Sequence, residues 1–490
     1  MIVDPCILAI DQSTSGTKAL LFDARGGILC RADRGHAQKV SSNGWVAHDP
    51  MEIYRNTLAA AADVIKKSGI DPGTIMAAAV SNQRETALVW ERATGLPVYD
   101  AVVWQCARGA EICERLSASG EDIRSRTGLQ LSPYFSAAKI AWVLEHTGNR
   151  AHRDLCAGTI DSWLVYRLTG NFKTDWSNAS RTQLLNLSTL EWDGELCGLF
   201  GIDPGMLPEI CDSNSRFGVT DFEGLLPKAV PLQGVLGDSH GALFGQGCLE
   251  KGMGKATYGT GSSVMINIGD KPVFCKSVVT SLAWGRDGKV TYVLEGNINY
   301  TGAVIRWLVD DVGLLSSSKE AGEVAAAANP ADTSYLVPAF SGLGAPHWVS
   351  GAKACLCGMT RNTGRAEIVR AAEESIAYQI TDVVRAMGEE SAVSLRELQV
   401  DGGPTRDSFL MQFQSDILNL PLSVPGHEEL SATGVAYLAG ITLGLYSAAV
   451  FSRIPRTRYE PRMDDASRGR RYRGWQDALR MVTGQYRPGA

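Results

Sequence analysis

The chain has 490 residues, 44% of them hydrophobic and 20% charged, with a formal net charge of −6. At about 100–200 residues per domain this length predicts two to four domains, and the composition excludes a disordered chain. The acidic balance leaves no electrostatic footprint for nucleic acid, and without a run of 18 or more apolar residues no membrane insertion is expected.

Met1 to Asp11 lacks a basic segment and a long apolar stretch, so it reads as a first strand and not as a signal peptide. Ile7–Asp11, the polar stretch Gln12–Lys18 and Ala19–Asp23 alternate as strand, turn and strand, which predicts a hairpin. A helix is predicted from Asp49 as cap and Pro50 at the first helical position, with Glu52 completing a capping box. Met76–Val80 is a short apolar run that reads as a buried strand, ending at the polar cluster Asn82–Thr86. Lys255–Ile266 repeats the strand, Gly/Ser/Thr turn, strand punctuation of the N-terminus. Ala325–Ala328 reads as helix. A long amphipathic helix is predicted through Ile368, Ala372, Ile376, Ile380, Val383 and Met387, with Thr363 as its cap. Leu398–Gly403 then reads as a strand running into a glycine turn, and 464–474 as a solvated segment before a last helix. Strands alternating with helices argue for α/β architecture. The repeated hairpin predicts two domains, 1–245 and 246–490, facing each other across a cleft. The 11 cysteines are scattered without a Cys-x-x-Cys pair, as expected of reduced thiols in a cytosolic protein. His48, His240 and His347 have no metal-ligand spacing.

Several short stretches carry possible chemistry. In the first turn, small residues let backbone N–H groups point at phosphate oxygens, Thr14, Ser15 and Thr17 add hydroxyls, and Lys18 adds a charge. Asp11 at the strand end suits Mg²⁺, which prefers few carboxylates plus phosphates. The turn Tyr258–Ser262 has the same character, and the pair would clamp a triphosphate from both sides; two ordinary hairpins fit the pattern as well. Gly402-Gly403-Pro404 allows backbone to approach a flat ligand, or is a plain strand-to-helix turn. Arg84 and Glu85 either grip vicinal hydroxyls or form a surface ion pair. Asp238, after a buried run, is a general base for a hydroxyl or a helix cap.

Taken together, Ala9–Gln12, His48–Ile53, Asn82–Thr86, Val103–Cys106, Ser132–Ser136, Asn178–Thr182, Tyr258–Gly261, Val337–Trp348 and Phe409–Asp416 resemble the glycerol kinases of the FGGY carbohydrate kinase family, in family order and over almost the whole chain. The resemblance implies two ribonuclease-H-like domains of the actin and hexokinase ATPase type flanking a central cleft. It implies transfer of phosphate from ATP, with Mg²⁺, to a primary hydroxyl of a small polyol. By resemblance the catalytic base is Asp238, and the polyol site Arg84, Glu85, Trp104, Tyr134, Asp238, Ser239 and Ser263. The nucleotide contacts are Thr14, Ser15, Gly16, Lys18, Thr260, Gly302, Gly403, Pro404 and Ser408, and the metal-associated carboxylate is Asp11. A homodimer or homotetramer in the cytoplasm is implied too. A ketose or other sugar kinase of the family, and a non-enzymatic ATP-dependent sensor of the same fold, are the competing readings.

The chain departs from the family pattern at three places. Ser239-His240 stands where Gln-Gln is usual, Lys18 where Arg is usual, and Ser263 where an aromatic residue faces glycerol. Losing bulk at Ser239 and Ser263 leaves two substrates open: glycerol, or a four- or five-carbon polyol such as erythritol. The Gly-rich basic loop that binds a regulatory sugar bisphosphate in the family is missing from 218–230. Fructose bisphosphate at millimolar concentration is therefore expected to leave the rate unchanged, and an inhibition curve would contradict this.

Overall fold

The computed structural model describes residues 4–148 and 151–484, so Met1–Val3 of the expected first strand lie outside the described residues. Two large mixed sheets organise the chain. The first runs Arg216–Thr220, Val230–Gly237, Ile75–Asn82, Cys6–Gln12, Gly16–Phe22, Ile28–Gly35. The second runs Val279–Arg286, Lys289–Ile298, Ser262–Gly269, Gly254–Tyr258, Leu398–Asp401, Leu422–Pro425, Arg456–Tyr459. In each, a hairpin strand pairs antiparallel with its successor and parallel with a later strand: Cys6–Gln12 with Ile75–Asn82, and Gly254–Tyr258 with Leu398–Asp401. The same order of five strands, third-second-first-fourth-fifth, thus recurs in both halves. The central strands are covered on both faces, so Cys6–Gln12 is buried at every residue and shows no alternation.

The helix Pro50–Ser68 begins as the sequence predicts: Asp49 accepts from Met51 N at 2.8 Å and Pro50 opens the first turn. Glu52 does not complete a capping box but accepts from Ala37 N at 3.3 Å. The long helix spans Arg365–Ser391 with Gly364, not Thr363, as its cap. Glu367 reaches back to Gly364 N at 2.8 Å, while the Thr363 hydroxyl donates to Asp332 at 2.9 Å. Residues 465–474 are not a solvated segment ahead of a helix; they belong to the last helix, Asp465–Thr483, which Asp464 caps and which buries Arg468 and Trp475. Of the expected helical run Ala325–Ala328, only Ala325 and Ala326 are helical, closing the short helix Ala321–Ala326, and Ala327 and Ala328 turn away from it.

Two helices lie in the layer between the sheets. Asp238–Gly245 follows the last central strand of the first sheet directly, and Leu430–Thr442 returns from the second half to pack on Cys6–Gln12, Ile75–Asn82 and Val230–Gly237. One apolar cluster joins residues of both halves there, including Ile7, Leu243, Phe244, Met265, Val293 and Val435. The two helices approach to backbone contact at glycines. A Cβ on Gly434 would lie 1.8 Å from Gly241 O, and one on Gly245 would lie 2.3 Å from Leu430 O.

Gly434→Ala tests this crossing. Alanine gains about 1 kcal/mol of helix preference, but the obstructing atoms all belong to the backbone of Gly241, so a net loss of about 1–3 kcal/mol is expected from overpacking. A melting temperature equal to or above that of the parent chain would contradict it.

Candidate active site

The first turn sits where the hairpin strands part. Asp11 pairs across the ladder with Lys18, and Gln12 with Thr17. Lys18 therefore belongs to the second strand and not to the turn, which narrows to residues 13–15. Ser13 N and Oγ both donate to Gly16 O, at 2.8 and 3.0 Å. A Cβ at Gly16 would come within 2.6 Å of Arg34 O, so glycine is required for the neighbouring strand to pass. Among the described residues, the backbone N–H groups of Thr14 and Ser15 have no hydrogen-bond acceptor, as a phosphate cradle needs. Lys18 Nζ pairs with Glu429 Oε2 at 3.0 Å, and Arg31 pairs with the other oxygen. Glu429 precedes the interlayer helix Leu430–Thr442, so the charge of the first hairpin is tied to the second half.

Asp11 is buried at 6% exposure, and its Oδ1 has no hydrogen-bond partner. Burial pushes its carboxyl up to about 6, against the pull of Lys18, and the carboxylates of Asp238 and Glu429 add to the rise. A buried carboxylate oxygen without a donor, beside a second carboxylate, fits a divalent cation held partly through water.

The residues expected to hold a polyol fall in one place, and Arg84 and Glu85 do not form a surface ion pair. Arg84 and Glu85 follow the central strand Ile75–Asn82 and are 6% and 2% exposed. Glu85 adopts a positive φ of 58°. The fork of Arg84 is committed within the protein: Nη1 and Nη2 donate to Glu295 Oε2 and Oε1, both at 2.8 Å. Glu85 accepts from Arg181 Nε at 2.6 Å, and Arg181 Nη1 lies 3.0 Å from Glu295 Oε2. Burial opposes the charge on Glu295, yet Arg181 and Arg84 outweigh it and hold the carboxyl well below the usual range. Ser263 turns its hydroxyl to the same group and donates to Glu295 Oε1 at 3.0 Å.

Asp238 opens the helix Asp238–Gly245, with Gly237 and not Asp238 in the cap position. Its side chain is 36% exposed. Oδ1 accepts from Ser239 N at 2.6 Å and lies 3.2 Å from Arg84 Nε. Among the described residues no hydrogen bond is made to Oδ2. His240 is fully buried behind it with neither ring nitrogen bonded. Burial, together with Arg84, Arg181 and Lys255, holds its imidazole well below the ordinary value and hence neutral. Trp104 and Tyr134 meet edge to face at 5.5 Å, and Trp104 Nε1 donates to Thr14 Oγ1 at 2.9 Å, joining the aromatic wall to the first turn. Lys139, buried, donates to the carbonyls of Pro133, Tyr134 and Phe135 and so fixes the loop that carries Tyr134.

The second turn gathers the remaining residues. Gly302 N donates to Gly259 O at 2.9 Å, and Thr301 N to Thr260 O at 2.9 Å, so the helix Gly302–Asp310 starts on the turn. A Cβ on Gly302 would lie 2.7 Å from Gly259 O and 3.6 Å from Pro404. Gly402 has φ 101°, and a Cβ there would lie 1.9 Å from Tyr258 O. Thr260, Gly302, Gly403 and Pro404 thus form one cluster. Ser408 stands beside it as the exposed first residue of the helix Ser408–Leu418, which Asp407 caps.

Sequence reasoning missed Glu295, Glu429 and any role for Arg181. The available signal for Glu295 was an acidic residue in the apolar strand Tyr292-Val293-Leu294-Glu295. No group of His, Cys, Asp or Glu able to hold a metal on protein ligands alone occurs among the described residues.

Residues 6–245 match the N-terminal domain, and 254–443 the C-terminal domain, of the FGGY family of carbohydrate kinases. Glycerol kinase 1 of Thermotoga maritima is 49% identical, covering 97% of this chain and 99% of that protein. The glycerol kinase of Carboxydothermus hydrogenoformans is 44% identical over 96% of this chain and 97% of its own length. The crystal structure of Plasmodium falciparum glycerol kinase with ADP superposes with a TM-score of 0.91 at 33% identity, covering 98% of each chain. The gluconate kinase of Lactobacillus acidophilus, at 21% identity and a TM-score of 0.89 over 99% of this chain and 100% of that one, shares the fold. With both domain models matched in order and near-full-length relatives approaching half identity, the chain belongs to the FGGY family of carbohydrate kinases.

Proposed function

We propose that this kinase transfers the γ-phosphoryl group of ATP to a primary hydroxyl of glycerol, giving glycerol 3-phosphate and ADP. The observation that carries the reading is Asp238: half-exposed at the start of a helix, one oxygen held by Ser239 N, the other without a donor. In this reading Asp238 Oδ2 accepts the proton of the terminal hydroxyl, that oxygen attacks the γ-phosphorus in line, and ADP leaves. Free N–H groups of the first turn, with Lys18, face the charge on the transferred group; positioning and electrostatics carry the rate. Asp11 would hold Mg²⁺, which when bound spreads the negative charge of the phosphates. Trp104 and Tyr134 would wall the polyol, and Thr260, Gly302, Gly403, Pro404 and Ser408 the nucleotide. The division at 245/246, a homodimer or homotetramer, and a cytoplasmic location are part of the same reading; no described helix is long and apolar enough to cross a membrane.

Glycerol is preferred over a longer polyol for two reasons. The relatives at 42–49% identity are glycerol kinases. In addition, the Ser263 hydroxyl is already spoken for by Glu295 and does not add a free donor to the pocket.

Asp238→Asn keeps the shape and removes the base, so kcat is expected to fall about 10²–10⁴-fold with ADP affinity and circular dichroism unchanged. Retained turnover would exclude Asp238 as base. A panel of glycerol, erythritol, threitol, xylitol and ribitol should rank glycerol first in kcat/KM, and a four- or five-carbon polyol ranking first would end the glycerol assignment. Asp11 supplies a pH test. Its folded value, about 6, lies above that of a free carboxyl. The charged form therefore costs the fold stability as pH rises toward 6, and bound cation offsets that cost. Below pH 6 a proton competes with the cation, so the Mg²⁺ concentration giving half-maximal rate should rise about tenfold per pH unit and level off above 7. A flat dependence would remove Asp11 from the metal site.

A further inference from the structure

The buried ion network reaches across the two halves, and its centre is a residue with no assigned part in the reaction. Arg84 and Arg181 belong to the first half; Glu295 lies on Lys289–Ile298 of the second sheet and is fully buried. The stem of Arg84 passes close over Gly237, where a Cβ would meet its Cγ at 2.7 Å and its Cδ at 2.8 Å. What remains to be set is the direction of the guanidinium head. Glu295 takes both fork nitrogens at 2.8 Å, which leaves Nε as the edge turned to Asp238. That edge lies 3.2 Å from Asp238 Oδ1 but is not aligned for a hydrogen bond.

We infer that Glu295 is a positioning residue for the phosphoryl transfer: by occupying the fork of Arg84 it keeps Asp238 from being captured in a two-point ion pair. An arginine fork free to turn would match the carboxylate bidentately and take both oxygens, leaving none to accept a hydroxyl proton. Because the fork and its partner come from different halves, the geometry is complete only when the halves are apposed. Arg181 secures the arrangement, linking Glu295 at 3.0 Å to Glu85 at 2.6 Å and resting on the Phe135 ring at 5.1 Å. The inference rests on Asp238 as base, and Asp238→Asn, measured alongside, separates the two.

Glu295→Gln preserves shape and replaces one acceptor by a donor. Polyol-dependent kcat is expected to fall about 100-fold, as for a displaced catalytic group, while the KM for ATP stays within about twofold because nothing at the second turn changes. Glu295→Asp, which keeps the charge on a shorter stem, should recover about tenfold of that loss. Arg84→Gln/Glu295→Gln should lose no more than Arg84→Gln alone, because Glu295 acts through Arg84. Losses that multiply, a KM for ATP that rises with the fall in kcat, or variants at 295 that only lower the melting temperature with kcat intact would each overturn the proposal. Failure of both 295 variants to fold would do so as well, by making the residue structural. An inactive Asp238→Asn beside a normal Glu295→Gln overturns this inference alone, whereas an active Asp238→Asn overturns the base assignment.

Discussion

The buried pairing of Arg84 with Glu295 is the constraint on which the site depends. Taking two charges out of water costs several kcal/mol per ion, of order, after relaxation. The cost is tolerable only where geometry and extra hydrogen bonds compensate. Here Glu295 receives two guanidinium donors, a serine hydroxyl and the charge of a second arginine. Such a pair adds little to stability compared with an apolar substitute, but breaking it leaves a buried charge unmatched. Its value lies in direction: a bidentate pair fixes the plane of the guanidinium, and with it the edge turned to Asp238.

Most of the carboxylates around this pair are matched by donors. Glu295 and Glu85 are bound to arginines, Glu429 to Lys18 and Arg31, and Asp401 accepts from Gln246 at 2.9 Å. Asp11 and Asp238, at first-sheet strand ends, each keep an oxygen without a donor. One is buried beside the first turn and the other half-exposed, so the same functional group stands in two contrasting environments. His240, held neutral among three cations, fills the space behind Asp238 without adding charge.

Backbone contact supports this placement from below. The interlayer helices cross at Gly241, Gly245 and Gly434, where side chains would hold the halves apart. The helix from Asp238 emerges directly from the central strand, so Asp238 stands on a rigid strand-to-helix junction. Leu430–Thr442 leads back to Glu429 and Lys18, so the same packing aligns the ion pairs that bridge the halves.

The sequence by itself determined the apolar strands, the two hairpins, the Asp49 cap and, through motifs in family order, the family. These are local properties: an apolar run, a glycine with small neighbours or a cap signals its state within a few residues. Boundaries depending on distant partners were less legible. Thr363 looks like a cap yet bonds to Asp332, and 464–474 looks solvated yet turns one face of a helix toward the core. Arg84 and Glu85 read equally as a surface pair, because nothing near them in the chain reveals Glu295, 211 residues away, or Arg181, 96 away. Only the tertiary structure decided those partners, since the energy of a buried charge depends on which opposite charge the fold brings within 3 Å, and that choice is made by the packing of two sheets and not by the order of residues along either one.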